Sequence, residues 1–250
     1  GEFLRRGWAV KDLHRLIVTR ATYRQSSATS PELVKRDPRN RLLARQSRVR
    51  LEAETIRDSA LSAAGLLSGK LGGPSVYPPQ PKGIYILTQQ KKAWPEEQGE
   101  DRFRRCMYTY FWRSSPYPFL PTFDAPDATT TCTRRSRSNT PLQALTLAND
   151  EAFFEMAQNL ARRILSEGPD YDKGRLRFGF RTCLSRDPTG EELEALTEFL
   201  ASQRRQFSRP DTAAKVAPAI RPQGVSATEA AAWTAVGRVL INLDEFINRE

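Results

Sequence analysis

Three arginines, Arg134, Arg135 and Arg137, stand just before a strong helix start at Thr140. Free amides at a helix N-terminus, the positive end of the helix dipole and forked guanidinium groups together favour a bound anion. The same arginines can instead pair with aspartates and fix a long loop in place. The sequence therefore leaves two roles open for this cluster: recognition of a ligand or partner, and stabilisation of the loop.

Asp124, Asp127 and Asp150 are the aspartates available to that cluster, and the first two suggest a second chemistry. A glycan-cleaving enzyme needs one carboxylic acid as proton donor and one carboxylate as nucleophile or base at a set separation. The sequence Asp-Ala-Pro-Asp at 124–127 is also an ordinary loop sequence whose aspartates bind nearby amides. A glycan-active enzyme is thus an alternative to a binding module.

Aromatic residues are concentrated between positions 108 and 119, where their rings suit stacking on sugars or bases and equally suit the core of a small sheet. No helix-turn-helix, zinc-finger or RNA-binding signature is present, so nucleic-acid binding is a second alternative that rests on bulk charge alone. The candidate binding residues are Asp124, Arg134, Arg135, Arg137, Asn139, Gln143, Asp150 and Trp112.

Metal, haem and triad chemistry have little support in the sequence. His14 is the one histidine, and its helical context favours a structural or surface role. Cys106, Cys132 and Cys183 have neither zinc-ligand spacing nor the CxxCH pattern of haem attachment. A disulfide between Cys106 and Cys132 is one alternative in an exported protein, and free thiols are the simpler one. We expect no cofactor and no metal in this segment.

The composition is that of a basic globular chain. Its 250 residues carry a net charge of +10, with 31 arginines and 8 lysines among the 39 basic residues. Arginine favours carboxylate, phosphate or sulfate partners, although solvated helix faces explain the same balance. No apolar run approaches the roughly 20 residues that a membrane-crossing helix needs.

Helical periodicity dominates both ends of the chain. Before residue 70, helices are predicted from Trp8 to Gln25, after Asp37-Pro38, and from Leu51 to Leu67. After residue 140, capping sequences predict helix starts at Thr140, Thr189 and Ser226, with a second cap at Asp150 and a further helix at 173–184.

The segment 74–138 differs because nine prolines interrupt it. Two runs within it, 83–87 and 106–112, are rich in β-branched and aromatic residues and predict short strands. We therefore predict a mainly α-helical single domain over residues 1–250, the C-terminal portion of a larger protein. Residues 74–138 form its irregular central segment, residues 208–224 a linker-like loop, and there is at most a small β-hairpin.

Several separated stretches resemble a known family. They are TFDAPD at 122–127, RRSRSNTPLQAL at 134–145, LHRLI at 13–17, GGPSV at 72–76 and NLDEF at 242–246. Taken in their order along the chain, nearly the whole of which they span, they are similar to the planctomycete secreted-protein C-terminal domain, domain of unknown function 1553.

The resemblance implies an exported protein, periplasmic or at the cell surface, in which this module follows upstream domains of the same polypeptide. It also implies a role beside polysaccharide-degrading systems, while no activity is established for the family. The leading hypothesis is an accessory module that binds a partner domain or an anionic ligand such as a polysaccharide.

A Pro-rich segment stays ordered only where side chains satisfy its backbone groups. We therefore expect Asp124, Arg134, Arg135, Asn139 and Asp150 to converge in space.

Overall fold

The computed structural model describes residues 1–84 and 93–249 and confirms the mainly α-helical fold. Its helices are α1 Glu2–Arg5, α2 Val10–Val18, α3 Pro31–Arg36, α4 Ala53–Ala63, α5 Phe119–Thr122, α6 Pro141–Asn149, α7 Glu151–Glu167, α8 Asp172–Leu184, α9 Gly190–Gln206, α10 Pro210–Ala214, α11 Ala227–Ile241 and α12 Asp244–Ile247. The strands β1 Val49–Arg50 and β2 Asn248–Arg249 form a two-stranded sheet.

The chain divides into two compact units, Gly1–Val49 with Asn248–Glu250, and Arg50–Ile247. Whether they act as the single domain that the sequence predicts stays a prediction. In the first unit, α2 is shorter than expected. Trp8 lies in the left-handed region (φ 61°), which delays the helix start to Val10. Residues 20–24 then fold as turns instead of extending the helix.

The helix predicted after Asp37-Pro38 is wrong. The Asp37 carboxylate accepts hydrogen bonds from the amides of Arg41 (2.9 Å) and Leu42 (2.7 Å), so it closes a turn and does not cap a helix. The helix in this region is α3, which begins with Pro31 in its first turn and is capped by Ser30, whose hydroxyl accepts from the Leu33 amide.

The core of the second unit is built on α7 and α11. Trp233 and Val236 of α11 are buried. Helix α7 buries Phe153, Leu160 and Ile164 in the same core. Gly237 allows the close approach, because a Cβ there would lie 2.8 Å from the carbonyl oxygen of Ala157 on α7. The two helix backbones therefore pack with no side chain between them at this point.

The helix starts after residue 140 match the prediction. Thr140 and Gln143 form a complete capping box at α6, and Thr189 and Glu192 form another at α9. Asp150 caps α7 through the amides of Ala152 and Phe153, which confirms the predicted second cap. Ser226 caps α11 by accepting from the Glu229 amide, but the predicted capping box is only half formed, because the Glu229 carboxylate binds Arg204 and Trp233.

The predicted strand at 106–112 is wrong, and most of the one at 83–87 lies outside the described residues. Residues Cys106–Tyr108 form a 3₁₀ turn, and the extended part is an isolated parallel bridge between Val76 and Thr109. The turn is favoured because the Asp58 carboxylate accepts from the Cys106 amide (2.7 Å). Tertiary hydrogen bonding therefore overrides strand propensity here.

Two buried arginines hold the irregular segment, and each is 1% exposed. Arg57 on α4 donates to the carbonyls of Arg104 (2.8 Å) and Arg102 (3.3 Å). Arg104 in turn donates to the carbonyls of Pro74 (3.0 Å), Lys70 and Gly72. Both guanidinium groups therefore bind main chain and satisfy carbonyls that the prolines leave without helical partners.

Candidate functional site

Arg135 and Arg137 lie against the first turn of α4, on the surface of the second unit. Arg135 Nη1 donates to Glu54 Oε2 (2.8 Å) and Glu52 Oε2 (3.1 Å), and Arg137 Nη2 donates to Glu52 Oε1 (3.3 Å). The hydrogen bond to Glu54 raises the pKa of Arg135 above its ordinary value. These side chains are roughly a third exposed, so the ion pairs are in contact with water.

The pairing corrects one expectation. The sequence favours Asp124, Asp127 or Asp150 as the arginines' partners, whereas the structure supplies Glu52 and Glu54 from a helix start more than 80 positions earlier. Acidic residues at the beginning of a helix are a usual signal of the N-terminus, and that signal is present at Glu52 and Glu54. No local pattern links them to the arginine cluster.

A cleft of about 750 Å³ opens at this cluster, and its lining is Glu52, Arg134, Arg135, Ser136 and Arg137. Arg134 is exposed and forms no ion pair within residues 1–84 and 93–249. Three guanidinium groups thus line the cleft with one carboxylate, and the excess is positive. Such a surface suits an anionic group that can accept forked hydrogen bonds.

Asp124 lies in a different network. Its carboxylate pairs with Arg50 Nη2 (2.5 Å) and accepts from the Ser138 amide (2.8 Å), the Ser138 hydroxyl (2.9 Å) and Gln143 Nε2 (3.3 Å). Burial alone would raise the pKa of Asp124, but the Ser138 hydrogen bonds and the Arg50 charge outweigh it and lower the pKa. Asp124 is therefore an ionised and fully bonded group.

Gln143 connects this network to α6. Its side chain is buried and donates to the Thr122 carbonyl (3.0 Å) and to Ser138 Oγ (3.1 Å), while its oxygen accepts from the Thr140 amide (3.2 Å). Each of these contacts fixes the loop that carries the arginines. Gln143 therefore positions the cluster and does not face the cleft.

The remaining candidate residues lie apart. Asn139 donates to Asp244 (3.2 Å). Asp150 caps α7, and burial raises its pKa although hydrogen bonds from two backbone amides act to lower it. Trp112 is half-buried and packs edge-on against Tyr110, with ring centroids 6.3 Å apart. Asp127 accepts from the amide of Thr129 in its own loop (3.0 Å).

The convergence in space expected of Asp124, Arg134, Arg135, Asn139 and Asp150 stays a prediction, and these residues do not form a directly bonded cluster. Within the described ranges the side chains of Asp124, Arg135, Asn139 and Asp150 bond to different partners, and Arg134 has no ion pair. No hydrogen bond or ion pair joins one of the five to another. The loop is instead satisfied by Arg50, Arg57 and Arg104, none of which the sequence singles out. A buried arginine that binds carbonyls leaves no charge pattern that sequence reasoning can follow.

The three cysteines are free thiols. Cys106 is buried, and burial raises its pKa to about 11, while burial raises that of Cys183 to about 12. Cys132 is exposed.

Across the described residues, no group of three histidine, cysteine or acidic side chains is arranged to hold a metal ion. None of the helices in those residues is long and apolar enough to cross a membrane.

The family model of PSD1, described as "Protein of unknown function (DUF1553)", matches residues 1–200. The chain belongs to this family. No curated protein and no solved structure matches the chain. The PSD1 match ends within α9, yet the compact unit runs on to Ile247 and buries α11 at its centre. The arginine cleft lies wholly inside the PSD1 match.

Proposed function

We propose that this chain is an accessory binding module whose arginine cleft, residues 134–137 with Glu52, holds an anionic group of a polysaccharide or of a partner domain. One observation carries the proposal: Arg134 lines the cleft without an ionic partner in the described part of the chain. Arg135 and Arg137 flank it, and Glu52 and Glu54 hold them in place.

Preorganisation supports a binding role. Arg135 is bonded to two glutamates, so little side-chain freedom remains to be lost when a ligand arrives. The loop behind it is fixed by Gln143 and by the Arg50–Asp124 pair. A rigid loop in which one guanidinium has no ionic partner among the described residues is better suited to recognition than to loop fixing alone.

The glycan-active alternative depends on Asp124 and Asp127, and the environment of these two carboxylates favours it less than the binding role. A general acid needs a raised pKa, whereas hydrogen bonds lower the pKa of Asp124 despite its burial and that of Asp127. Both carboxylates are also engaged, Asp124 by Arg50 and Ser138 and Asp127 by the Thr129 amide. The lowered pKa values make this pair a poor source of the proton donor that glycoside cleavage needs.

The binding experiment compares dextran sulfate with neutral dextran and double-stranded DNA. The double variant Arg134→Gln/Arg137→Gln removes two positive charges from the cleft. The matched control, Arg205→Gln/Arg209→Gln, removes two exposed arginines that do not line it. Calorimetric titration should show binding of dextran sulfate that the cleft variant weakens about tenfold.

The control variant should bind dextran sulfate as the unchanged chain does. Equal weakening by both double variants, or equal binding of DNA and dextran sulfate with the same salt dependence, would mean that only bulk charge acts. Either result overturns the proposed site.

Export is a further part of the proposal and rests on the resemblance alone. The module would act outside the cytoplasm, beside upstream domains of its own polypeptide. An antibody against residues 50–247 should detect it in the exported fraction of source cells, and detection in the cytoplasm alone would contradict this part.

A further inference from the structure

A second groove, of about 570 Å³, runs along α8 and shares none of the lining of the arginine cleft. Its floor is one face of the helix, because Gly174, Arg177, Phe178 and Arg181 recur at the three- and four-residue spacing of neighbours on a helix surface. From Gly174 to Arg181 this face extends about 10 Å, enough for a short oligomeric ligand.

Tyr171 forms an aromatic wall of this groove. A Cβ on Gly174 would lie 2.6 Å from Cζ of Tyr171 and 2.9 Å from each of its Cε atoms, so the ring packs on the bare Cα of the glycine. The side chain nevertheless stays 61% exposed. A tyrosine ring held in one place and open to water is a stacking surface that needs little ordering on binding.

The charges beside this ring favour an acid that also carries hydroxyl groups. Arg177 is exposed and has no ion pair within the described residues. Arg181 lies 3.6 Å from Asp187, and both side chains are 66% exposed, so each remains available to a ligand. The Asp187 carboxylate accepts hydrogen bonds from hydroxyl groups, and the two guanidinium groups beside it suit a ligand that carries a carboxylate.

We propose that this groove binds an acidic sugar, a pyranose ring that carries a carboxylate. The ring stacks on Tyr171, Arg177 holds the carboxylate, and Asp187 accepts from a ring hydroxyl. The site is separate from the arginine cleft and does not depend on that cleft's function.

Calorimetric titration with trigalacturonic acid tests the proposal. Tyr171→Ala removes the stacking surface, and Arg177→Gln removes the cation. Gly174→Ala keeps the tyrosine but displaces its ring, which moves readily because the atoms in the way are the far end of a side chain. Alanine also suits a helix better than glycine, so the melting temperature of Gly174→Ala should not fall.

We expect Tyr171→Ala and Gly174→Ala each to weaken trigalacturonate binding about tenfold, the range of single aromatic stacking contacts. Arg177→Gln should weaken it severalfold. Phe111→Ala, an exposed aromatic elsewhere, and Arg205→Gln should leave it unchanged. The cleft variant Arg134→Gln/Arg137→Gln should also bind normally, which separates this result from the first proposal.

Three results would overturn the proposal. They are absence of trigalacturonate binding to the unchanged chain, unchanged binding by the two ring variants, and equally tight binding of neutral xylotriose. Tighter binding of single-stranded DNA that also depends on Tyr171 would assign the groove to nucleobases instead.

Discussion

Arg50 and Asp124 form an ion pair across 74 positions of sequence, with 2.5 Å between Nη2 and Oδ2 and only 4% of the Arg50 side chain exposed. The pair fixes the loop before the arginine cluster to the residues that lead into α4. Arg50 also donates to the carbonyl of Phe123 (3.2 Å). The position of the cleft therefore depends on a contact outside it.

Asp124→Asn should lower the free energy of unfolding of the chain by about 3 kcal/mol, because it leaves the buried Arg50 charge without a counter-charge. Urea denaturation followed by circular dichroism measures this loss. Asp127→Asn is the control. Among the described residues Asp127 bonds only within its own exposed loop, so this change should alter stability by less than about 1 kcal/mol. Equal losses in both variants would contradict the role of the pair.

Gly237→Ala should destabilise the second unit by about 2 kcal/mol, because the new methyl group meets the backbone carbonyl of Ala157 and forces α7 and α11 apart. Thermal unfolding measures the effect. Gly190→Ala is the matched control. Gly190 is the first residue of α9, and apart from its chain neighbours and its own helix backbone no described atom lies within 4 Å of the place that the added methyl group would take. That variant should be neutral or slightly stabilising, and a similar loss in both would refute close packing as the cause.

Acid should destabilise the chain partly through Glu192, because its hydrogen bond to Arg186 lowers its pKa to about 2 in the folded state. A carboxylate with a lowered folded pKa contributes stability that is present above its unfolded pKa of about 4.3 and is lost as the pH falls. Glu192→Gln should therefore lose less stability than the unchanged chain between pH 4.5 and 2. Glu191→Gln, at an exposed neighbour, should follow the unchanged chain. Parallel curves for Glu192→Gln and the unchanged chain would exclude this ion pair as a cause.

Thiol reactivity should separate the three cysteines. Cys132 is exposed, while burial raises the pKa of Cys106 to about 11 and that of Cys183 to about 12. Because the thiolate is the reactive form, Ellman's reagent should modify Cys132 quickly in the folded chain and all three only in urea. Cys132→Ser should abolish the fast phase. A fast phase that appears only after reduction would point to the Cys106–Cys132 disulfide instead.

The helices after residue 140 are predictable because the signals for their N-termini lie in adjacent residues. Thr140, Asp150 and Thr189 each cap a helix through amides within three positions. The residues that form each contact are therefore neighbours in the sequence and can be recognised there. The turn at Asp37 shows the limit of such signals. The same kind of carboxylate closes a turn when the amides that it meets are four and five positions ahead.

The site is predictable only in part. The spacing of the arginines identifies their cluster, but its partners Glu52 and Glu54 lie too far away in sequence for a local pattern to select them over nearer aspartates. The Tyr171 groove is not predictable, because no sequence pattern indicates that the tyrosine ring packs on the Cα of the glycine three positions later. Both features arise from tertiary packing between residues, and a single sequence does not indicate which residues pack together.

The hydrogen bonds from Arg104 to main-chain carbonyls affect which substitutions the chain tolerates. Arg104 binds the carbonyls of Lys70, Gly72 and Pro74, and a carbonyl is the same whichever side chain the residue bears. Apart from Gly72 and Gly73, whose positive φ angles (74° and 86°) restrict replacement, residues 70–74 can therefore vary without losing their anchor. Mutational tolerance along this stretch is set by one arginine 30 positions away, so a scan of substitutions should find position 104 intolerant and position 71 permissive.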